Sequence, residues 1–334
     1  MRTSRRRILV AAGALAAAPL VRAQKPAGTR VLGVLNPHPK PTPEQEARMP
    51  YNARFKQLGW VVGENLVMER PEHPDGEAAL PAMAEELVRK RVDAILAIGP
   101  EAAVAAARAT TKIPIVFWGA PYPVEQGLIE SFARPDRNVT GVAFFTGPEI
   151  TAKVLEILRE VAPGISRVAA MVTPSASSTV QGGKFDVLAQ LGDAARGLGF
   201  DFRVHLITKA EDLEGLLAAI LESGARAMVA YGTTTTFRLR HRIAEFASRN
   251  RLLCASTQAA FAQAGAVFSY GANTIRTVLQ SLEYVDKVLR GADPAELAVE
   301  RPANYELVVN LGAAKKLELA IPQAVLLRAD RVIE

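Results

Sequence analysis

Val31-Leu32-Gly33-Val34-Leu35-Asn36 is the first of a series of short apolar runs, and the rhythm it begins decides the fold. After a proline-rich turn, Thr42 stands as a helix cap with Pro43 at the first helical position and Gln45 three residues on, the pattern of a capping box; Gly59 is placed to end that helix. The alternation then repeats. Leu66 to Arg70 reads as a strand, Glu77 to Arg89 as a helix, Ala94 to Gly99 as a strand, Glu101 to Thr110 as a helix, and Pro114 to Gly119 and Val139 to Phe144 as strands. Short apolar segments separated by helix-length amphipathic ones make an α/β chain whose strands lie parallel and are joined by crossover helices.

The alternation starts afresh beyond Phe144. Pro148 to Val161 reads as a helix with Val154, Leu155, Leu158 and Val161 on one face. Arg167 to Thr173 is a predicted strand and Val180 to Leu198 a helix. Phe202 to Ile207, Ala227 to Tyr231, Leu252 to Ser256 and Ala266 to Tyr270 are further strands, Thr274 to Leu289 is a long helix, and Tyr305 to Leu311 and Leu326 to Ile333 read as late strands. Two similar α/β halves emerge, with a tail after Tyr270 long enough to visit both. This agrees with a length of about 310 residues beyond the leader, more than one ordinary core holds.

Residues 1–23 read as a signal peptide. Arg2, Arg5, Arg6 and Arg7 precede an apolar stretch from Leu9 to Val21 without a polar face, and Val21-Arg22-Ala23 has the form of a cleavage site. Ser4-Arg5-Arg6-Arg7-Ile8-Leu9 fits the twin-arginine export pattern, although export by the general secretory route stays open, so the expected destination is a bacterial periplasm. The chain has 40 Lys and Arg against 34 Asp and Glu, and removal of the five leader arginines leaves 35 against 34. The basicity therefore belongs to the leader and is no nucleic-acid footprint. The one cysteine, Cys254, admits no intrachain disulfide and reads as a buried thiol in an apolar strand. A soluble mature protein is expected.

Enzyme signatures for this architecture are missing: no G-x-G-x-x-G follows the first strand, and the chain has no phosphate-binding G-x-x-x-x-G-K-[ST] and no G-x-S-x-G nucleophile elbow. The four histidines, 38, 73, 205 and 241, have no H-E-x-x-H spacing; His205 reads as a satisfied strand histidine, and Arg238-Leu239-Arg240-His241-Arg242 as a solvated helix face. No metal and no cofactor are expected. What remains are the carboxyl ends of the strands, where open parallel sheets bind ligands. They carry Asn36, Gly99-Pro100-Glu101, Trp118 with Tyr122, Thr173 with Ser175, Tyr231 with Thr233, Ser256 and Tyr270. Free N–H groups at helix starts suit a carboxylate, and aromatic rings suit an apolar ligand body. With no acid–base or nucleophile–base pair, the pattern fits binding without turnover, though each of these residues alone is equally well a turn or cap residue.

The chain resembles the extracytoplasmic substrate-binding proteins of ABC transporters that include the tryptophan- and tyrosine-binding type. The resemblance runs from about Arg30 to Glu334. It is carried by 58–66 (Leu-Gly-Trp-Val-Val-Gly-Glu-Asn-Leu), Ile113 to Phe117, Ser131 to Pro135 with Asn138-Val139-Thr140-Gly141, Phe268 to Gly271, Tyr284 to Ala292, and Tyr305 to Leu311 through Arg328 to Glu334. It implies a type I periplasmic-binding fold of two Rossmann-like doubly wound lobes joined by three crossovers, the first about 30–144 plus 272–303, the second about 145–271 plus 304–334. It further implies a cleft that closes on ligand, a membrane permease and an ATPase as partners, and a protein that works as a monomer. Two departures stand out. Pro100 and Glu101 follow Gly99 where the family has Gly-Thr, and Tyr122-Pro123-Val124 stands where it has Asp-Pro-Val. An amino acid or an aromatic or apolar carboxylate is the expected solute. A binding component of a sensor or chemoreceptor, and an exported α/β enzyme, are the alternatives.

Overall fold

The computed structural model describes residues 28–144, 148–173 and 187–334. The signal peptide expected over 1–23, Ser175 and the first part of the helix expected over 180–198 lie outside the described residues.

The first apolar run forms β1 (Arg30–Leu35), and the capping box at Thr42 starts α1 (Pro43–Arg48): the Thr42 hydroxyl accepts from the Gln45 N–H, and the Gln45 side chain accepts from the Thr42 N–H. The helix expected to continue to Gly59 is instead two. Met49 is extended and Pro50 opens α2 (Pro50–Gln57), because the residue before a proline is pushed out of the helical region. β2 (Leu66–Glu69) comes next, then a short 3₁₀ turn and α3 (Leu80–Arg89), β3 (Ala94–Ile98), α4 (Pro100–Ala109), β4 (Ile115–Trp118) and β5 (Val139–Val142). The second series is α5 (Pro148–Val161), β6 (Arg167–Val172), α6 (Val187–Gly197), β7 (Asp201–Leu206), α7 (Leu213–Glu222), β8 (Ala227–Ala230), α8 (Thr234–Arg249), β9 (Leu253–Ser256), α9 (Ala259–Ala264) and β10 (Phe268–Ala272). The tail holds α10 (Thr274–Leu289), β11 (Tyr305–Asn310), α11 (Leu311–Lys316), α12 (Gln323–Arg328) and β12 (Arg331–Ile333). The late strand expected from Leu326 is thus a correction: its first residues belong to α12, whose Val325 is buried, and only the end pairs with β11.

Two sheets result. The first is parallel throughout, in the order β2-β1-β3-β4-β5. The second reads β12-β11-β10-β9-β8-β6-β7, and within it β7-β6-β8-β9-β10 repeats the order of the first. Among the described strands only the β10–β11 pair is antiparallel. Each sheet is covered on both faces. In the first, α3 and α4 bury Leu35, Leu87, Ile95 and Phe117, while α2 and α10 bury Leu32, Phe55, Val116 and Val285 on the other side. In the second, α5, α6, α11 and α12 cover one face and α7, α8 and α9 the other. Each fully buried large side chain contributes about 1.5–3 kcal/mol, which is why near-continuous apolar strands are needed. This is a pair of doubly wound α/β lobes.

The chain passes between the sheets beside β5, between β10 and α10, and before β11. Glu300 bridges to Val142, its carbonyl accepting from the Ala143 N–H at 2.8 Å, and the Asn273 N–H donates to the Asn304 carbonyl at 3.2 Å. The passages therefore lie side by side. Asn273 caps α10, which packs on the first sheet although it leaves the second.

Candidate functional site

The strand order locates the cleft. In both sheets the order reverses between the first and third strands of the series, and a doubly wound sheet opens its crevice there, at the carboxyl ends. In the first lobe those ends are Asn36, after β1, and Gly99, after β3; in the second they are Thr173, after β6, and Tyr231, after β8. Four of the residues expected from sequence therefore sit at the two reversal points.

Backbone geometry fixes the first-lobe side. Asn36 accepts from the His38 N–H through its side-chain oxygen at 3.1 Å, turning the chain away from β1. Gly99 has φ +91, a left-handed conformation that lets α4 begin immediately at the buried Pro100. Its N–H donates to the Trp118 carbonyl at 2.8 Å, and the Gly119 N–H donates to the Val142 carbonyl at 3.0 Å, so the ends of β3, β4 and β5 are laced together. Glu101 lies one residue into α4 and lines a groove of about 940 Å³ bounded by α3, α4 and the 124–128 loop. Trp118 is half-buried; its indole N–H donates to the Thr277 hydroxyl at 3.0 Å, and its ring meets Phe144 edge-on, which ties it to α10 beside the passages between lobes.

The second-lobe side is a lattice of hydroxyls. Thr233 caps α8, the Thr236 hydroxyl donates to the Tyr231 carbonyl at 2.6 Å, and the Thr257 hydroxyl accepts from the Gly232 N–H at 3.0 Å. Ser256 is fully buried, donates to the Ala230 carbonyl at 2.7 Å and accepts from the Gln258 N–H at 3.2 Å. Its hydroxyl is occupied in holding the strand ends. Thr173 is buried, and Tyr270 stacks on Tyr305 with ring centroids 6.0 Å apart, at the strand that leads out of the second lobe. Gly232 touches Gln258 so closely that a Cβ there would come within 2.1 Å of its side chain.

Tyr122 joins the lobes. It follows β4 in the first lobe, yet it is only 4% exposed and packs in the core cluster of the second, with Val154, Leu158 and Tyr231. Tyr231 is buried too, its hydroxyl bonded to that of Thr151 on α5. Burial raises the pKa of both phenols, and the charges of Glu149 and Glu125 add to the effect at Tyr122, so both stay neutral. Burial likewise pushes the Cys254 thiol up to about 12.

The residues where the lobes meet at the mouth carry no motif in the sequence. The Thr235 hydroxyl donates to a Glu77 carboxylate oxygen at 2.8 Å, and His38 meets Phe237 edge-on at 6.2 Å. Beside His38 lies a cavity of about 400 Å³ lined by Asn36, His38, Glu72, His73 and Met83 of the first lobe and Arg238 of the second. Burial, then the charges of Arg238 and Arg240, lower the pKa of His38 to about 4, which leaves it neutral near pH 7. Among the described residues, no group of three or more His, Cys, Asp or Glu side chains converges as a metal site, and no helix is long and apolar enough to cross a membrane.

The architecture is that of type I periplasmic binding proteins. A conserved domain protein of Vibrio cholerae superposes with a TM-score of 0.80 at 23% identity, covering 92% of this chain and 100% of that one. A Streptococcus pneumoniae ABC domain in complex with L-Trp gives a TM-score of 0.78 at 18% identity, covering 92% and 100%. In sequence, the chain is 20% identical over 277 residues to a tyrosine-binding protein of Clostridioides difficile, 82% of this chain and 77% of that protein. Residues 55–333 match the family model described as ABC transporter substrate binding protein, and the chain belongs to that family.

Proposed function

We propose that this is the solute-binding component of an ABC importer, which captures a small organic solute between its lobes outside the cytoplasmic membrane and delivers it to a permease driven by an ATPase. The observation that carries the reading is the pair of reversal points, Asn36 with Gly99 and Thr173 with Tyr231, on lobes that meet across a cleft. The bodies that move are 30–144 plus 272–303 and 145–271 plus 304–334, turning about the neighbouring passages beside Glu300 and Asn273. The Glu101 N–H at the start of α4 and the hydroxyls of Thr173 and Thr233 hold polar groups of the solute, and Trp118 walls its apolar part; Tyr122 and Tyr231 are packed in the second lobe's core behind them. The tyrosine- and tryptophan-binding relatives make amino acids and aromatic carboxylates the solutes to try first. The leader supports a periplasmic location, with cleavage near Ala23, and the solute leaves chemically unchanged.

The test is native mass spectrometry of the chain from Gln24 onward, to find solutes that co-purify, followed by a thermal-shift panel of amino acids and carboxylates. A ligand at 100 times its dissociation constant should add about 2.7 kcal/mol. A response with unchanged ligand recovered afterwards is expected. No response to any solute, or conversion of one, overturns the reading.

A further inference from the structure

We propose that the solute is an organic anion whose carboxylate is received by Arg238 at the mouth of the cleft. The inference rests on the solute-binding reading and names its chemical class. Among the described residues, Arg238 is the one second-lobe side chain lining the 400 Å³ cavity between Asn36, His38 and His73. It makes no hydrogen bond or ion pair with a described residue, whereas other arginines of α8 are engaged. Arg242 pairs with Glu214 at 2.9 Å, Arg249 with Glu245 at 3.8 Å, and Arg240 lies over the Phe237 ring and donates to the Phe237 carbonyl at 2.7 Å.

The acids nearby are also engaged. Glu77 accepts from Thr235, Glu72 accepts from the Lys40 N–H at 3.1 Å, and Asp75 lies 3.5 Å from His73. Helix stability does not account for Arg238 either. The first turn of α8 holds no acid, and a cation in the N-terminal part of a helix opposes the macrodipole. Its positive charge reaches His38 across the cleft, which helps to keep that imidazole uncharged. The mouth thus offers a guanidinium with its fork of donors open, in a space the size of a small organic acid. A carboxylate there touches both lobes at once: Arg238 from the second, and the Asn36 and His73 side chains from the first.

The experiment measures binding by titration calorimetry to the chain from Gln24 onward and to its R238Q and R238K variants. The probes are benzoate, phenylacetate and phthalate, the neutral amides of the first two, and zwitterionic tryptophan and tyrosine. Arg238 is exposed, so both variants should keep the wild-type thermal midpoint. The expected result is anion binding that is weakened by added salt, about 10- to 100-fold weaker in R238Q, and partly retained in R238K, with the amides indifferent to the substitution. An R238Q protein that keeps its affinity for the anion, or a wild-type protein that binds only zwitterions or neutral solutes, overturns the assignment and leaves solute binding intact. Failure of every solute, in this set and in the wider panel, overturns both.

Discussion

Tyr122 should couple the folding of the two lobes, and Tyr122→Ala should uncouple them. The ring is carried by the first lobe and is 4% exposed within the core cluster of the second. Truncation removes roughly 150 Å² of buried surface, worth about 4 kcal/mol at about 25 cal/mol per Å², within the range of about 3–5 kcal/mol for deleting a buried aromatic ring. Most of that loss falls on the second lobe, whose core is left with the cavity. The chain has two tryptophans, and both lie in the first lobe: Trp60 donates to Asp286 of α10, and Trp118 donates to Thr277. Tryptophan fluorescence therefore follows the first lobe, while far-ultraviolet circular dichroism follows both. In urea, the wild-type chain should give one transition by both probes. Tyr122→Ala should lower the dichroism midpoint by about 1 M or more and leave fluorescence to change later. Tyr122→Phe keeps the ring and should stay within about 1.5 kcal/mol of wild type. Coincident transitions in Tyr122→Ala, with a loss below about 1 kcal/mol, would refute the coupling.

Two further outcomes are expected. Gly271→Ala would place a Cβ 1.9 Å from the Thr257 carbonyl oxygen, forcing apart β10 and the segment whose Thr257 hydroxyl holds Gly232; overpacking of this kind costs about 1–3 kcal/mol, and an unchanged urea midpoint with unchanged ligand affinity would contradict it. His38 supplies a pH dependence: its folded pKa, near 4, lies below the unfolded value of 6.5, so between these values the unfolded chain binds a proton that the folded one does not, and stability falls as pH falls. The loss from pH 7 to pH 5 is about 2 kcal/mol and should vanish in His38→Asn, so equal pH slopes for the two proteins would count against a buried neutral imidazole at the mouth.

What a sequence reveals depends on the range of the interactions involved. The bounds of α5 and α10 are legible because local signals set them: Pro148 opens one, the amphipathic face runs to Val161, and Asn273 caps the other. The break at Pro50 is equally local and still escapes the sequence reading, because the apolar spacing continues across it to Phe55. The apolar stretch at Leu326 reads as strand because a run that short fits either element, and packing against α5 decides in favour of α12. At the site, the carboxyl ends of the strands follow from the parallel sheet itself, so Asn36, Gly99, Thr173 and Tyr231 can be named without coordinates. Residues that depend on contact between lobes cannot. Tyr122 reads as a ligand wall and packs within the other lobe's core; Arg238 reads as part of a solvated helix face and lines a cavity with residues of the other lobe.

These two residues place different demands on the same interface. A cleft that opens and closes needs contacts that persist through the motion and contacts that form only at its end. Tyr122 has the character of the first kind, since withdrawing a buried ring would cost several kcal/mol. The mouth has the character of the second. The Glu77–Thr235 hydrogen bond and the edge-on contact of His38 with Phe237 are single polar or aromatic contacts, each worth about 1 kcal/mol, and so easily broken and remade. If the lobes close on a solute as proposed, this division has them pivot near Tyr122 and part at the mouth, where Arg238 and Asn36 line one cavity. A solute that engages both residues adds its own binding energy to the closed side of the equilibrium. It need supply only enough to outweigh a few weak contacts, because the interface at Tyr122 is already made.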